Sequence, residues 1–193
     1  SVRAMLAADH GIEVAASRVI LGYQVQANLT EAEADSMVLD LFVDPIIERG
    51  ARLTRLLDDF PEAPEIAIQI GYKPGVTDNS GQAGLDGLLT LFPHHSEAKV
   101  ATYRTYAFWG VPKNVDPKHL ASTLHNPMIE RASVAGPAEC AEGRWPALDF
   151  PEQPLATYSE PAIIDLEVSD EQLLEISETG LLALNLEEMR TIQ

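Results

Sequence analysis

The chain has few of the residues that mark several large classes of protein. One cysteine, Cys140, among 193 residues excludes an internal disulfide framework and favours a reducing compartment. The 13 lysines and arginines are outnumbered by 30 acidic residues, and the net charge of −17 argues against binding nucleic acid, whose phosphates need clustered cations. No run of about 18 apolar residues predicts a membrane span. Residues 1–10 do not resemble a secretory signal, so we expect a cytoplasmic protein whose acidity maintains solubility or faces a basic partner.

The sequence also lacks a spacing typical of a catalytic, cofactor-binding or metal site. The glycines and Lys73 after the strand predicted at 66–71 match neither nucleotide-binding glycine pattern, and a strand-to-helix turn explains them better. His94 and His95 are adjacent and should point apart, which favours a surface turn over a metal site. Cys140 has no histidine pattern nearby, which disfavours a thiol nucleophile. We therefore predict no catalytic, cofactor-binding or metal-binding residue.

One seven-residue block occurs twice. Residues 44–50 (DPIIERG) return 82 positions later as residues 126–132 (NPMIERA), and the same offset places Leu6 on Leu88. A match of this length indicates an old internal duplication, with a period suited to a small α+β unit rather than to a solenoid repeat.

The first copy begins with a short helix and a β-rich segment. The apolar spacing in residues 1–10 predicts a helix ending at Gly11. Residues 13–27 are β-rich around Gly22, which predicts either two short strands joined by a tight turn or one bent strand.

A second helix follows in the first copy. Thr30 and Glu33 have the spacing of a capping box, and the apolar stripe behind them ends at Pro45. Residues 46–57 should be extended and lead into an acidic linker over 58–65.

The second copy shows the complete pattern of one unit. Alternating isoleucines predict the opening strand, and capping signals predict both helices. The aromatic segment Tyr103, Tyr106, Phe108 and Trp109 is expected to serve the sheet core and an interface. The predicted elements are a strand at 66–71, a helix capped by Asn79 and Gln82, a β-rich run at 98–111, a helix capped by Asp116, and a strand at 128–134.

This order predicts an α+β protein made of two tandem units related to the ferredoxin-like fold, with antiparallel sheets and helices on one face. We expect the units at 1–57 and 65–135, an irregular linker at 136–162, and the start of a helical domain at 163–193. The last part should contain a strand at 163–166 and a helix that begins with Ser169 and Gln172 and ends at Gly180. The opening strand of the first unit would precede Ser1, so we expect a fragment with an exposed sheet edge and possible self-association.

Four stretches resemble phosphoribosylformylglycinamidine synthase, a glutamine-dependent carbon–nitrogen ligase of purine biosynthesis. The resemblance is to its N-terminal, duplicated PurS-like region and the start of its linker segment. It spans nearly the whole chain and is most specific at the C-terminal end. The stretches are residues 72–79 (YKPGVTDN), 126–130 (NPMIE), 169–174 (SDEQLL) and 182–190 (LALNLEEMR).

The resemblance implies a non-catalytic role within an ATP-consuming enzyme. The PurS-like region of that family bridges the synthetase core and the glutaminase and helps them communicate while ammonia passes between them. ATP and magnesium are implied for the full-length enzyme, and no catalytic residue of the family has a matching position here. A different interpretation is a tandem ferredoxin-like sensor that binds an amino acid at the loop 75–81. A free-standing enzyme is the least supported alternative.

Overall fold

The computed structural model describes residues 1–53, 62–152 and 163–193. The chain divides into two compact units, Ser1–Pro154 and Leu155–Gln193. We call them the sheet unit and the helical unit, and we keep "first copy" and "second copy" for residues 1–57 and 65–135.

The sheet unit is built on one four-stranded antiparallel sheet. Its strands are β1 (Ala16–Gln26), β2 (Ile66–Tyr72), β3 (Lys99–Trp109) and β4 (Glu130–Ala135), in the order β1-β3-β2-β4. This confirms the α+β class and the antiparallel sheet. β1 is one continuous strand through Gly22 rather than two, because all eleven of its residues pair with β3.

Among the described residues, five helices and one π-helical segment belong to the sheet unit. α2 runs directly into the π-helical segment, and the expected capping box of Thr30 with Glu33 is confirmed, as is the left-handed Gly11 (φ 63°) after α1. The helices are α1 (Val2–His10), α2 (Glu31–Ser36) with the π-helical Met37–Phe42, α3 (Asn79–Leu91), α4 (Pro117–Ser122) and α5 (Pro137–Ala141).

The cap of α3 differs from the prediction. Asp78, not Asn79, is the N-cap, and its side chain accepts from the Gly81 N–H at 2.8 Å. Asp78 also accepts from the Thr102 N–H at 2.6 Å. The bond to β3 fixes Asp78 as the cap, so the helix begins at Asn79, one residue earlier than a cap at Asn79 would allow.

Two apolar clusters cover one face of the sheet. In the first, Leu6 of α1 and Leu120 of α4 pack on Ile68 and Phe108. In the second, Leu88 of α3 and Met37 of the π-helical segment pack near Val25 and Val100. These strand residues share a face because Ile68 pairs with Tyr106, Ile66 with Phe108 and Val25 with Val100. Each cluster thus joins one helix from each copy.

The opposite face is covered by the chain that follows β4. Cys140 of α5 packs with Ala67 and Ala135, and Trp145 joins this cluster. The Leu148 N–H donates to Gln69 Oε1 at 2.8 Å. The segment was expected to be an irregular linker, but residues 137–141 are helical and residues 142–152 adhere to the sheet, because Cys140 and Trp145 have apolar surface to bury. Residues 153–162 of that linker lie outside the described residues.

The repeated block forms a turn in both copies. In the first copy the Asp44 N–H donates to Glu48 Oε2 (3.0 Å) and the Ile46 N–H to Asp44 Oδ1 (2.8 Å). Residues 45–47 therefore form a turn rather than the start of an extended segment, and no strand is formed over residues 48–53. Residues 54–57 of that segment and 58–61 of the acidic linker lie outside the described residues.

The second copy of the block repeats the same bonds. The Asn126 N–H donates to Glu130 Oε2 (2.8 Å) and the Met128 N–H to Asn126 Oδ1 (3.0 Å). In both copies a backbone bond closes the turn at 2.8 Å, from Glu48 to Asp44 and from Glu130 to Asn126. The matched residues of the duplication therefore adopt matched conformations.

The helical unit contains α6 (Asp170–Thr179) and α7 (Leu186–Ile192). The capping box of Ser169 with Gln172 is confirmed, and α6 ends at Gly180 as predicted. Ser177 Oγ donates to the Leu184 carbonyl at 2.8 Å and links the two helices. The strand expected at 163–166 is absent from the described residues: Ile163 is 99 % exposed, and no neighbouring strand is described that would cover it. Among the helices described here, none has both the length and the apolar composition needed to cross a bilayer.

Candidate functional site

The centre of the β1–β3 pair is the pair Leu21–Arg104. It is the sixth of eleven pairs, and the two strands have the same length and begin 83 residues apart. Each odd-numbered residue of β1 lies opposite an even-numbered residue of β3, and the side chains of such a pair lie on the same face of the sheet. An offset that relates β1 to β3 and keeps each side chain on its face must therefore be odd. The strands therefore follow an offset of 83, not the 82 of the repeated block. Leu21 and Arg104 thus lie at the local two-fold axis that relates the two antiparallel strands.

A pocket of about 220 Å³ opens at this axis on the helical face of the sheet. Along β3, Arg104 lies between Val100 of the second apolar cluster and Tyr106 of the first, and on β2 it pairs with the buried Ile70. Apolar, aromatic and charged groups line the pocket, which suits a small polar ligand. Among its lining residues are Leu21, Tyr23, Ile70, Ser80, Arg104 and Glu130.

Two of the residues that line the pocket, Arg104 and Glu130, form an ion pair. Arg104 Nη2 donates to Glu130 Oε1, and Glu130 Oε2 is occupied by the Asn126 N–H. The Arg104 side chain is 39 % exposed, and its buried Nε has no hydrogen-bond partner among the residues that the structure describes. The exposed part of the guanidinium suits an acceptor in the pocket, such as a carboxylate or carbonyl oxygen.

The glycine-containing turn beside the pocket is a structural turn. The Lys73 ammonium donates to the Pro127 carbonyl, so it is engaged by the repeated block rather than directed toward a phosphate. Asp78 places a carboxylate at the start of α3 and holds Thr102 through both its N–H and its hydroxyl (2.9 Å). A negative charge at this helix start opposes anion binding there. The geometry supports the turn interpretation over a phosphate-binding loop.

A second group of polar side chains forms between α2 and the loop after α3. Glu33 Oε1 lies 3.0 Å from His94 Nε2 and 3.3 Å from His95 Nε2. The two imidazole rings do not point apart as expected, because their centroids are only 4.1 Å from each other. The turn brings both rings against the Phe92 ring, which orients them toward the same carboxylate.

Glu33 is held as a carboxylate by its own capping box. Its pKa falls from 4.5 to about 2, first because the Thr30 backbone N–H donates to it, then because the Thr30 hydroxyl does, with His95 as a smaller cause. Both Thr30 bonds go to Oε2, at 2.8 and 2.7 Å, and they leave Oε1 for the histidines. The carboxylate therefore carries its full charge wherever the histidines are neutral.

Cys140 is shielded from solvent. Its side chain is 3 % exposed, and its Sγ donates to the Ala135 carbonyl at 3.5 Å. Burial raises the pKa of the thiol above its usual range. A buried thiol of raised pKa is a poor nucleophile.

No protein-family model and no curated protein matches this chain. Sequence reasoning identified neither the pocket nor the Glu33–His94–His95 group. For the pocket, the available signal was Arg104, a charge in the middle of a strand rich in apolar and aromatic residues. For the second group, the signal was the adjacent pair His94 and His95, but no spacing rule joins them to Glu33, which lies 61 residues from His94.

Proposed function

We propose that this chain is a non-catalytic assembly and coupling region of phosphoribosylformylglycinamidine synthase. Its role would be to bridge the synthetase core and the glutaminase and to support ammonia transfer between them. The observation that carries the proposal is the repeated turn, since the block that resembles the family's sequence makes the same hydrogen bonds in both copies. A PurS-like duplication in that enzyme would have this property.

The shared sheet supports a scaffold role. β1 of the first copy pairs along its whole length with β3 of the second, and each apolar cluster combines helices of both copies. We propose that the copies are two PurS-like units packed about a pseudo-twofold axis at Leu21–Arg104. Because the copies share one sheet, a displacement of one copy is transmitted to the other, as coupling between two catalytic domains requires.

The strongly acidic surface suits a chain that docks on basic surfaces of its partners. With a net charge of −17, nonspecific self-association is opposed by repulsion, whereas contact with a positively charged domain is favoured. Such contacts weaken with salt, and we expect the interaction with the synthetase core or the glutaminase to be lost first at high ionic strength.

Reconstitution tests the proposal. The chain is added to separately expressed synthetase core and glutaminase, and ATP turnover is followed with glutamine and, in parallel, with free ammonia. We expect the chain to restore glutamine-driven turnover and to leave ammonia-driven turnover nearly unchanged. A folded chain, verified by circular dichroism, that changes neither rate and co-purifies with neither partner would overturn the assembly role.

The pocket favours a second candidate, a small-molecule sensor. Ser80, at the end of the loop 75–81, lines the pocket together with Arg104, and the exposed part of the Arg104 guanidinium suits the carboxylate of an amino acid. Thermal unfolding in a panel of amino acids and nucleotides should show a rise in Tm for one member. Arg104→Met should remove that rise, and Arg144→Met, at an exposed arginine paired with Glu142, should keep it. No rise across the panel would argue against the sensor.

A further inference from the structure

Glu33, His94 and His95 bring three metal-ligand atoms to one point. The carboxylate oxygen and the two Nε2 atoms all lie within 4.8 Å of one another. In a tetrahedral zinc site with bonds of about 2.0–2.2 Å, neighbouring ligand atoms are about 3.3–3.5 Å apart. The Glu33–His94 and Glu33–His95 distances of 3.0 and 3.3 Å are close to this edge length.

We propose that these three residues bind a divalent zinc-class ion, which joins the first copy to the second. Glu33 lies in α2 of the first copy, and the histidines follow α3 of the second. Two imidazoles and one carboxylate favour Zn²⁺, Co²⁺ or Ni²⁺, whereas Mg²⁺ and Ca²⁺ prefer sites of oxygen atoms alone. This site is independent of the function proposed above.

The ligands are preorganised by their neighbours. Thr30 fixes the Glu33 carboxylate through Oε2 and directs Oε1 toward the histidines, as outer-shell hydrogen bonds do around metal ligands. The backbone of His95 is fixed on both sides, since its N–H donates to Phe92 (3.1 Å) and its carbonyl accepts from Ala98 (2.9 Å). An ion would therefore meet side chains that need only small rotations.

The site has one well-covered side and one open side. The His95 side chain is 11 % exposed and that of Glu33 17 %, whereas His94 is 64 % exposed. A tetrahedral ion held by three protein ligands keeps a fourth position, which here would face solvent and hold water or an exchangeable ligand.

Metal titration of the chelator-treated full chain tests the proposal. Isothermal titration calorimetry with Zn²⁺ should give one site per chain, Zn²⁺ should raise Tm, and Mg²⁺ at the same concentration should do neither. Glu33→Gln is the sharpest variant, because glutamine also serves in a capping box and the helix start is kept while the anionic ligand is lost. We expect Zn²⁺ to bind this variant at least about tenfold more weakly.

Histidine variants supply the matched controls. His94→Gln changes an exposed side chain and should keep the fold, yet it should weaken Zn²⁺ binding at least about tenfold. His119→Gln removes one histidine elsewhere and should leave the affinity unchanged. In NMR spectra, Zn²⁺ should shift the ring signals of His94 and His95 and not that of His119. No binding to the wild-type chain, or binding equal in wild-type and His94→Gln proteins, would overturn the proposal.

Discussion

Leu21 of β1 lies directly opposite Arg104 of β3, at the midpoint of the longest strand pair in the sheet. The two positions face each other at the local two-fold axis of the strand pair, yet one carries an apolar and the other a charged side chain. The pocket beside this pair is therefore lined by a cation from β3 and by an apolar side chain from β1.

Gly22 and Tyr103 form the neighbouring pair at the same axis, and a mutant cycle should show strong coupling between them. A Cβ on Gly22 would lie 2.3 Å from the Tyr103 ring, so Gly22→Ala must displace that ring. We expect a loss of about 1–3 kcal/mol in the free energy of unfolding, measured by urea denaturation. In a Tyr103→Ala background the same change should be neutral or stabilising, because alanine is otherwise better than glycine in a strand. Equal effects in both backgrounds would contradict the observed packing.

Leu6 and Leu88 should be equally sensitive core positions. Both are fully buried, at equivalent sites of the two apolar clusters. Each change to alanine should cost about 2–5 kcal/mol of unfolding free energy. Because the leucines belong to different clusters, the double variant should show the sum of the two losses within about 0.5 kcal/mol. Leu21→Ala, at a side chain 69 % exposed, is the control and should cost far less.

Asp78 should be a far more important helix cap than Asp116. Asp78 caps α3 and also holds both donors of Thr102, whereas Asp116 accepts only the exposed Lys118 N–H at 3.2 Å among its described bonds. Asp116→Ala should cost about 1 kcal/mol. Asp78→Ala should cost about 2–4 kcal/mol, because it also leaves half-buried donors unpaired. Thermal and urea unfolding would measure both, and similar losses would show that the link to Thr102 contributes little.

Cys140 should react slowly and should tie stability to alkaline pH. Burial raises its pKa above 9.0, so the folded state retains the thiol proton more strongly than the unfolded state. The resulting stability is present below about pH 9 and is lost as pH rises through the folded pKa. Alkylation by iodoacetamide at pH 8 should be at least about tenfold slower than in denaturant. The fall in urea midpoint between pH 8 and pH 10 should be smaller in Cys140→Ala, and an unchanged fall would contradict the assignment.

The predictions from sequence succeeded where the structure depends on near neighbours. The capping boxes of Thr30 with Glu33 and Ser169 with Gln172 form as their spacing indicates, because each links groups within one helical turn. The alternating isoleucines of β2 form a strand buried on both faces. Local patterns failed where a distant contact competes, as at Asp78, whose bond from Thr102 makes it the cap of α3 in place of Asn79.

The repeated block also shows where sequence patterns are insufficient. Its sequence identity indicated the duplication. Its conformation, however, depends on side-chain carboxylates that accept hydrogen bonds from nearby backbone N–H groups, as Glu48 does from Asp44. Apolar residues such as Ile46, which is 90 % exposed, suggested an extended segment and instead lie in a solvent-exposed turn. Hydrophobic content alone does not show whether a side chain will find a surface to cover.

The sequence by itself determined the helix caps, the β-rich segments, the acidic charge and the duplication, because each is a property of residues close in the chain or of composition. The tertiary structure alone decided that β1 pairs with β3 around Leu21–Arg104, that each apolar cluster joins both copies, and that Glu33 meets His94 and His95. These contacts join residues some 50 to 115 positions apart. Their partners are selected by the packing of the whole sheet unit, which no local pattern records.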